Sequence, residues 1–348
     1  MALNLKLLKK ICETPGAPGF EKEIRKLILK EVKPYADKIT IDNMGNVIVL
    51  KKGKSSAKKV MTAAHMDEIG FIVKHIDDKG FVRFHNLGGF DPKTHTSQRV
   101  IIHGRKNVMG VMGSKPIHVM SAAERTKAPK STDYFIDLGR TKKEVEKLIR
   151  VGDSITRDAN LMEMGEQLTC KSLDNRISVF ILLEALKTVK KPAYDFYGVF
   201  TVQEEVGLRG AQVATQSVQP DFAINLDTTI AFDVPGAKPE EKVSELGAGT
   251  AIKIMDSSVI CDYRMIAFLK DTATKNKIKW QTELLTGGGT DTGNLQRMTP
   301  GGAISGAISI PTRHIHQTVE MVNKKDTENS IKLLVASLES IDKGNWAF

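Results

Sequence analysis

The sequence predicts an α/β fold in which a mostly parallel sheet is covered by helices on both faces, with a small β-barrel-like module inserted into it. After residue 168, continuous apolar strands alternate with helices, which is typical of a buried parallel sheet. Between about residues 68 and 160, short β-type segments are separated by glycine-containing turns, which favours a small barrel. We therefore expect a discontinuous α/β domain, residues 1–67 and 161–348, and an inserted domain at 68–160.

Hydrophobic periodicity and turn residues give the individual elements. Residues 3–33 predict two helices, because apolar residues recur at helical spacing on both sides of a Pro- and Gly-rich turn. The other predicted helices are 141–149, 177–189, 259–277 and 327–341. The predicted strands are 39–41, 47–50, 60–64, 71–75, 81–84, 100–103, 108–112, 135–138, 196–202, 222–226 and 303–310.

Composition excludes several classes of protein. The 348 residues are 41% hydrophobic and 26% charged, which is ordinary for a globular protein and excludes collagen-like and wholly disordered chains. No apolar run approaches the roughly 18 residues of a membrane span, and the first residues are too charged for a signal peptide. We expect a cytoplasmic protein without a membrane partner. The three cysteines, at irregular spacing, predict buried reduced thiols.

The net charge of +10 raises the question of nucleic-acid binding. The excess is concentrated near the start, since residues 1–60 carry 14 Lys and Arg against 6 Asp and Glu. Its densest part, at residues 51–59, flanks a Gly and a Ser pair as a solvated hairpin turn does, and no aromatic residues are interleaved for base stacking. We therefore expect no nucleic-acid partner.

Acidic or histidine residues follow four of the predicted core strands. His65 and Asp67 follow strand 60–64, the pair Glu204-Glu205 follows 196–202, Asp227 follows 222–226, and His316 comes shortly after 303–310. The carboxyl ends of parallel strands line one crevice, so these groups should converge. Asp174 precedes the helix at 177–189 and joins them as a fifth element.

Two imidazoles and several carboxylates around one crevice are suited to two divalent metal ions. Three carboxylates and two imidazoles suffice if one carboxylate bridges, which leaves an open position for water at each ion, as in catalytic zinc sites. One member of the pair Glu204-Glu205 would then bind metal while the other accepts a proton from the water. Spacing alone does not decide which of the two does so.

The sequence resembles dinuclear metallo-aminopeptidases of the glutamyl aminopeptidase, or TET, type over essentially its whole length. The segments that carry the resemblance are AAHMDEIGFIV (63–73), GSKPIH (113–118), KSLDNRISVFILLEAL (171–186), VQEEVGLRGA (202–211), MDSSVICDYRM (255–265), GGGTDTG (287–293) and IPTRHIHQTVE (310–320). The resemblance implies a zinc-exopeptidase-like catalytic domain. It also implies that His65, Asp174 and Asp227 bind one metal ion and that Asp174, Glu205 and His316 bind the other, with Asp174 as the bridge.

The resemblance also implies that Glu204 is the general base and that Asp67 orients His65. Thr290 and Asp291, in the glycine-rich segment, would touch the substrate; this segment lacks the Gly-Lys-Ser/Thr ending of a phosphate loop. The sequence departs from the family at Asn175, where Asp is frequent, and at His314, where Tyr is usual. His314 adds a third imidazole, so an exchange of roles with His316 stays open.

The expected function is therefore that of an aminopeptidase, which releases N-terminal amino acids from oligopeptides through a water bridging two divalent ions, with zinc, cobalt or manganese all compatible with the ligands. Two alternatives remain: an amidohydrolase acting on small acylated metabolites, and a peptide-binding scaffold that has lost catalysis. A glycosidase is disfavoured because its two carboxylates must be free of metal. The resemblance also implies homo-oligomers, with dimers formed through the inserted domain and a tetrahedral dodecamer built from them. Side-chain specificity is left open.

Overall fold

The computed structural model describes residues 2–348, which form a 12-stranded sheet flanked by helices and a closed barrel of six strands. Between residues 2 and 348, no helix combines the length and the apolar character needed to cross a bilayer. The three cysteines are buried and free, as expected. The α/β fold with an inserted barrel is confirmed.

The elements are numbered along the chain. The helices are α1 (Leu5–Glu13), α2 (Lys22–Val32), α3 (Ala122–Thr126), α4 (Lys142–Leu148), α5 (Leu173–Thr188), α6 (Arg209–Val218), α7 (Tyr263–Lys275), α8 (Thr292–Arg297) and α9 (Lys324–Ser340). The strands are β1 (Lys38–Ile41), β2 (Val47–Lys51), β3 (Ser55–His65), β4 (Gly70–Ile76), β5 (Val82–Leu87), β6 (Arg99–His103), β7 (Asn107–Gly113), β8 (Phe135–Asp137), β9 (Ser154–Arg157), β10 (Met162–Met164), β11 (Gln167–Cys170), β12 (Tyr194–Thr201), β13 (Phe222–Ile230), β14 (Thr250–Asp256), β15 (Val259–Ile260), β16 (Trp280–Leu284), β17 (Ile304–Arg313) and β18 (Glu320–Asn323).

The large sheet is parallel at its centre and antiparallel towards its edges. Strands β12, β3, β13 and β17 are neighbours and run parallel. Strands β1, β2, β18, β11 and β10 extend the sheet on both sides by antiparallel pairing. The expectation of a mostly parallel sheet therefore holds for the four central strands, and the sheet as a whole is mixed. Short connections such as the turn between β1 and β2 allow only antiparallel pairing.

Helices cover both faces of the central strands. In β3, Val60 and Ala64 belong to the core beneath α1, α2, α5 and α9, whereas Met61 and Ala63 belong to the core beneath α6 and α8. This alternation is the two-residue period of a strand buried on both faces. Helix α5 is buried from Leu173 to Leu186, which explains why its sequence is apolar on most sides.

The starts of three predicted helices differ by three or more residues in the structure, and one of them is α5, which begins at Leu173 instead of residue 177. The segment predicted as a helix over 259–277 begins with β15, and α7 starts only at Tyr263, because the side chain of Asp262 accepts a hydrogen bond from the backbone N–H of Arg264 and caps the helix. Helix α9 starts at Lys324, three residues earlier than predicted, because Asn323 caps it in the same way.

Several elements were not predicted from the sequence, namely α3, α6, α8, β9, β10, β11, β14, β15, β16 and β18. Strand β14 shows one physical reason. Its central residue Lys253 interrupts the apolar pattern, yet it is fully buried because it pairs with Asp256 and Glu283. A buried ion pair between elements distant in sequence leaves no hydrophobic periodicity to read.

The barrel has the strand order β4-β5-β8-β7-β6-β9, and its strands lie between residues 70 and 157. The chain enters it directly after β3 and returns through β9. Because β3 ends at His65, the base of the barrel lies next to the carboxyl ends of the central strands. The barrel can therefore contribute to a site at that edge.

Candidate metal centre

The carboxyl edge of the central strands gathers the histidines and carboxylates that the sequence singled out. His65 is the last residue of β3 and pairs in register with Thr201, the last residue of β12. The pair Glu204-Glu205 follows β12, and Asp227 lies within β13, which is longer than predicted. Parallel strands end at one edge of a sheet, so the expected convergence is observed.

Asp174 lies at the centre of this group. Its Oδ1 is 3.2 Å from Nε2 of His65, and its Oδ2 is 3.4 Å from Nε2 of His316. Each oxygen of the one carboxylate therefore faces a different imidazole. The carboxylate lies at the start of α5, where the chain is not yet helical and the Asp174–Asn175 peptide bond is cis.

Each imidazole also faces a second carboxylate. Nε2 of His65 lies 3.6 Å from Oδ1 of Asp227, and Nε2 of His316 lies 3.3 Å from Oε2 of Glu205. The ligand atoms of His65, Asp174 and Glu205 lie within 4.8 Å of one another, and so do those of His65, Glu204 and Asp227. His316 joins this group through its contacts with Asp174 and Glu205.

The donor set fits divalent metal ions. Oδ1 of Asp174 and Oε1 of Glu205 are buried and accept no hydrogen bond. Buried polar atoms are normally paired, so such atoms indicate positions that a further group satisfies. Imidazole nitrogens and carboxylate oxygens are the ligands of catalytic zinc, cobalt and manganese sites. These residues are therefore suited to bind the divalent metal ions that the sequence implies.

The pKa values of these side chains also favour a site for metal ions. Burial raises the pKa of Glu204 well above its usual value and that of Glu205 to about 8, and the neighbouring carboxylates add to the effect. Burial alone would lower the pKa of His316, but Glu205 and Asp174 raise it to about 10. Several negative charges thus share a space with little water, and divalent cations would relieve their repulsion.

Asp67 holds the backbone that carries Glu204 and Glu205. It is fully buried, its Oδ1 accepts a hydrogen bond from the backbone N–H of Glu204 (3.1 Å), and its Oδ2 accepts one from that of Glu205 (3.2 Å). The same Oδ1 lies 3.5 Å from Nδ1 of His65, slightly beyond hydrogen-bond distance. Asp67 therefore holds the Glu204-Glu205 turn and faces the ring that it was expected to orient.

Glu320 also contacts the candidate site, and the sequence did not predict this, although Glu320 ends the last segment quoted for the resemblance. It is buried at the start of β18, where its two carboxylate oxygens accept hydrogen bonds from the backbone N–H groups of Asp174 (2.7 Å) and His316 (3.1 Å). It therefore ties together the backbone of two presumed ligands. Its position four residues after His316 carries no signal of this role, which depends on β18 lying beside β17 and β11.

We expect Glu320→Gln to weaken metal binding by about 10- to 100-fold, as replacements of groups that orient metal ligands do. The amide has only one oxygen, so it can accept from Asp174 or from His316 but not from both. Competition with a chelator for zinc measures the affinity. Glu163→Gln, at an exposed residue paired with Lys324, is the matched control and should bind zinc like the parent protein. Unchanged affinity in Glu320→Gln would contradict the role.

The glycine-rich segment has one residue at the cavity and one beneath it. Thr290 lines the cavity next to the presumed ligands. Asp291 is 1% exposed, does not line the cavity, and accepts a hydrogen bond from Oγ1 of Thr201 (2.7 Å). Burial raises the pKa of Asp291 to about 7. The expectation of substrate contact therefore has geometric support at Thr290, whereas Asp291 contacts the end of β12.

The exchange of roles between His314 and His316 has no support in the geometry. His316 lines the cavity and faces Asp174 and Glu205. His314 is exposed and is not among the cavity residues. Both residues have φ near +59°, as does Ser172 at +56° just before Asp174. Left-handed backbone at residues other than glycine is costly and is concentrated at functional sites.

The barrel contacts the segment that carries His316. Arg157, at the end of β9, donates hydrogen bonds to the backbone carbonyls of His316 (3.3 Å) and Gln317. Gly89, in the loop after β5, lies against the imidazole, and a Cβ at this position would come within 3.2 Å of its Nδ1. A larger residue there would press on the ring, so the barrel helps to fix its position.

The chain is similar to known aminopeptidases in sequence and in fold. The sequence profile described as M42 glutamyl aminopeptidase matches residues 45–333. A putative aminopeptidase of Acetivibrio thermocellus is 42% identical over 95% of this chain and 97% of its own. The structure of an aminopeptidase from Desulfurococcus kamchatkensis is similar with a TM-score of 0.93 and 39% identity over 96% of this chain and 94% of that one. The TET1 peptidase of Pyrococcus horikoshii, which can assemble into a tetrahedron or a large octahedral shell, has a TM-score of 0.85 and 30% identity over 96% and 98%.

Proposed function

Since the chain belongs to the M42 glutamyl aminopeptidase family and is an aminopeptidase, we propose that it removes single amino acids from the free N-termini of oligopeptides with two divalent metal ions. His65, Asp174 and Asp227 would hold one ion, and Asp174, Glu205 and His316 the other. The observation that carries the proposal is the placement of Asp174, whose two oxygens face the two imidazoles separately.

The bound ions would polarise the scissile carbonyl and lower the pKa of a water shared between them. The chain's own contribution to proton transfer is Glu204. Its Oε2 lies 3.9 Å from Nε2 of His65, which is farther than the 3.6 Å between Asp227 and the same nitrogen. Glu205 instead contacts His316. We assign to Glu204 the uptake of the water proton and its return to the leaving amine.

Asp67 supports this role through backbone hydrogen bonds. By accepting from the N–H groups of Glu204 and Glu205, it fixes the turn that carries both carboxylates, of which Glu205 would bind metal and Glu204 would face the attacking water. Thr290, which lines the cavity, would contact the substrate. Asp291 would act through Thr201 rather than by direct contact.

The protein would also assemble into homo-oligomers through the barrel. Met109 and Val111 on the outer face of β7, with Ile117 and Val119 in the segment that follows, are 48% to 65% exposed. Such a group of exposed apolar side chains is typical of an interface. The TET1 peptidase of Pyrococcus horikoshii forms closed shells. Light scattering should therefore give a molar mass that is a multiple of 38.3 kDa, and a monomer would contradict this part of the proposal.

Chelation and metal restoration test the proposed function. The purified protein is stripped with a chelator, reloaded with zinc, cobalt or manganese in turn, and assayed on aminoacyl anilides and their N-acetylated equivalents. We expect activity to vanish on stripping, to return with at least one metal, and to be confined to the unblocked substrates. Hydrolysis of the blocked substrates alone would favour the acylated-metabolite alternative, and activity that persists without metal would contradict the metal requirement.

A further inference from the structure

The cavity beside the metal centre has a volume of about 720 Å³, large enough to hold the side chain of a substrate's first residue. Among the described residues that line it, all ionisable side chains belong to the metal centre, Glu204 included. The remaining wall is formed by the aliphatic residues Leu208, Ile230, Leu285 and Ile315, by the glycine-rich segment, and by five hydroxyl residues. A charged substrate side chain would find no counter-charge on this wall.

Most of the hydroxyl groups cannot donate a hydrogen bond to a substrate, because they already donate their hydrogen elsewhere. Thr229 donates from Oγ1 to Glu283 (2.8 Å), and Thr290 donates from Oγ1 to Asp256 (2.8 Å). Ser258 donates from Oγ to the other oxygen of Asp256 (2.7 Å). A hydroxyl has only one hydrogen to donate.

The charged groups below these hydroxyls contact one another. Lys253 contacts Asp256 at 3.2 Å and also pairs with Glu283, and all three side chains are no more than 2% exposed. These carboxylates raise the pKa of Lys253 to about 12 although burial opposes it, so the ammonium group stays charged. One ammonium group thus lies between two carboxylates beneath the wall, and none of these three side chains lines the cavity.

From this wall we infer that the enzyme selects substrates with an apolar first residue and discriminates against acidic and basic ones. The inference rests on the proposed function, since the cavity receives that side chain only if the amide next to it lies at the metal centre. Placing an unpaired charge against an apolar wall is unfavourable, whereas an aliphatic side chain gains from leaving water. Such a wall discriminates against charged substrates because it offers them no counter-charge.

The test compares kcat/KM of the metal-loaded enzyme for leucyl, methionyl, glutamyl and lysyl anilides. We expect leucine and methionine to exceed glutamate and lysine by at least about tenfold. Equal or higher values for glutamate or lysine would overturn the inference while leaving the aminopeptidase function intact. Hydrolysis of none of the four would instead count against the proposed function, and the inference would fall with it.

A substitution in the wall tests whether its residues determine the preference for an apolar first residue. Ile230→Lys places a cation among the lining residues and should lower the ratio of leucyl to glutamyl activity by at least about tenfold, because the new ammonium pairs with the glutamate side chain. Ile41→Lys, on the edge strand β1 at the far side of the sheet, adds the same charge at an exposed residue and should leave the ratio unchanged. An unchanged ratio in Ile230→Lys would contradict the location.

Discussion

Glu204→Gln is expected to lower kcat by about 10²- to 10⁴-fold while both metal ions remain bound, because the amide cannot take up the proton that general-base catalysis removes from water. Glu204 makes the longest of the carboxylate contacts to His65, at 3.9 Å, and no ligand role is assigned to it. Steady-state rates on leucyl anilide, together with metal content by elemental analysis of the same preparation, measure both parts of the prediction.

The neighbouring variant Glu205→Gln provides the contrast. Glu205 faces His316 at 3.3 Å, and we expect its replacement to lower the occupancy of the ion on that side. The two variants replace neighbouring residues and remove the same charge. A difference in their metal content therefore distinguishes the general base from the metal ligand. Full turnover in Glu204→Gln, or loss of metal from it, would contradict the assignment.

Asp174→Ala is expected to empty both metal positions and to abolish activity. One carboxylate faces both imidazoles, so its loss removes an oxygen from each ligand set at once. Catalytic sites with about three protein ligands for each ion have none to spare. Elemental analysis should show a fall from two ions for each chain to nearly none.

Two controls keep this prediction decisive. Asp174→Asn preserves the shape of the side chain and removes its charge, so it separates a folding defect from the loss of a ligand; circular dichroism should show the parent fold. Asp78→Ala, at a carboxylate that is 97% exposed and far from the site, should retain both ions. A folded Asp174→Ala protein that still binds two ions would exclude the bridging role.

The sequence was sufficient for the parts of the fold that rest on local patterns. The central strands and α5 were predicted because their apolar runs are long and uninterrupted. Convergence of His65, Glu205, Asp227 and His316 followed from one rule, that parallel strands end at a common edge. Asp174 was added because it precedes a predicted helix. The roles within the Glu204-Glu205 pair needed the resemblance, because neighbouring acidic residues give the same pattern whichever of them binds metal.

What the sequence did not predict depends on contacts between distant segments. Glu320 acts through backbone N–H groups of residues 146 and 4 positions away, and such contacts leave no periodic trace. Strand β14 was missed because Lys253 is buried only in the company of Asp256 and Glu283. The apolar character of the cavity is a further case, since threonine and serine look polar in a sequence until the acceptors of their hydroxyls are known.

We propose that five side chains, which lie at or after the carboxyl ends of four strands and at the start of α5, hold two metal ions around Asp174. Anomalous diffraction from crystals of the zinc-loaded protein tests it most directly. We expect two peaks about 3.5 to 4 Å apart, one beside His65 and Asp227 and the other beside His316 and Glu205, each within bonding distance of one oxygen of Asp174. A single peak, or peaks out of reach of Asp174, would contradict the account.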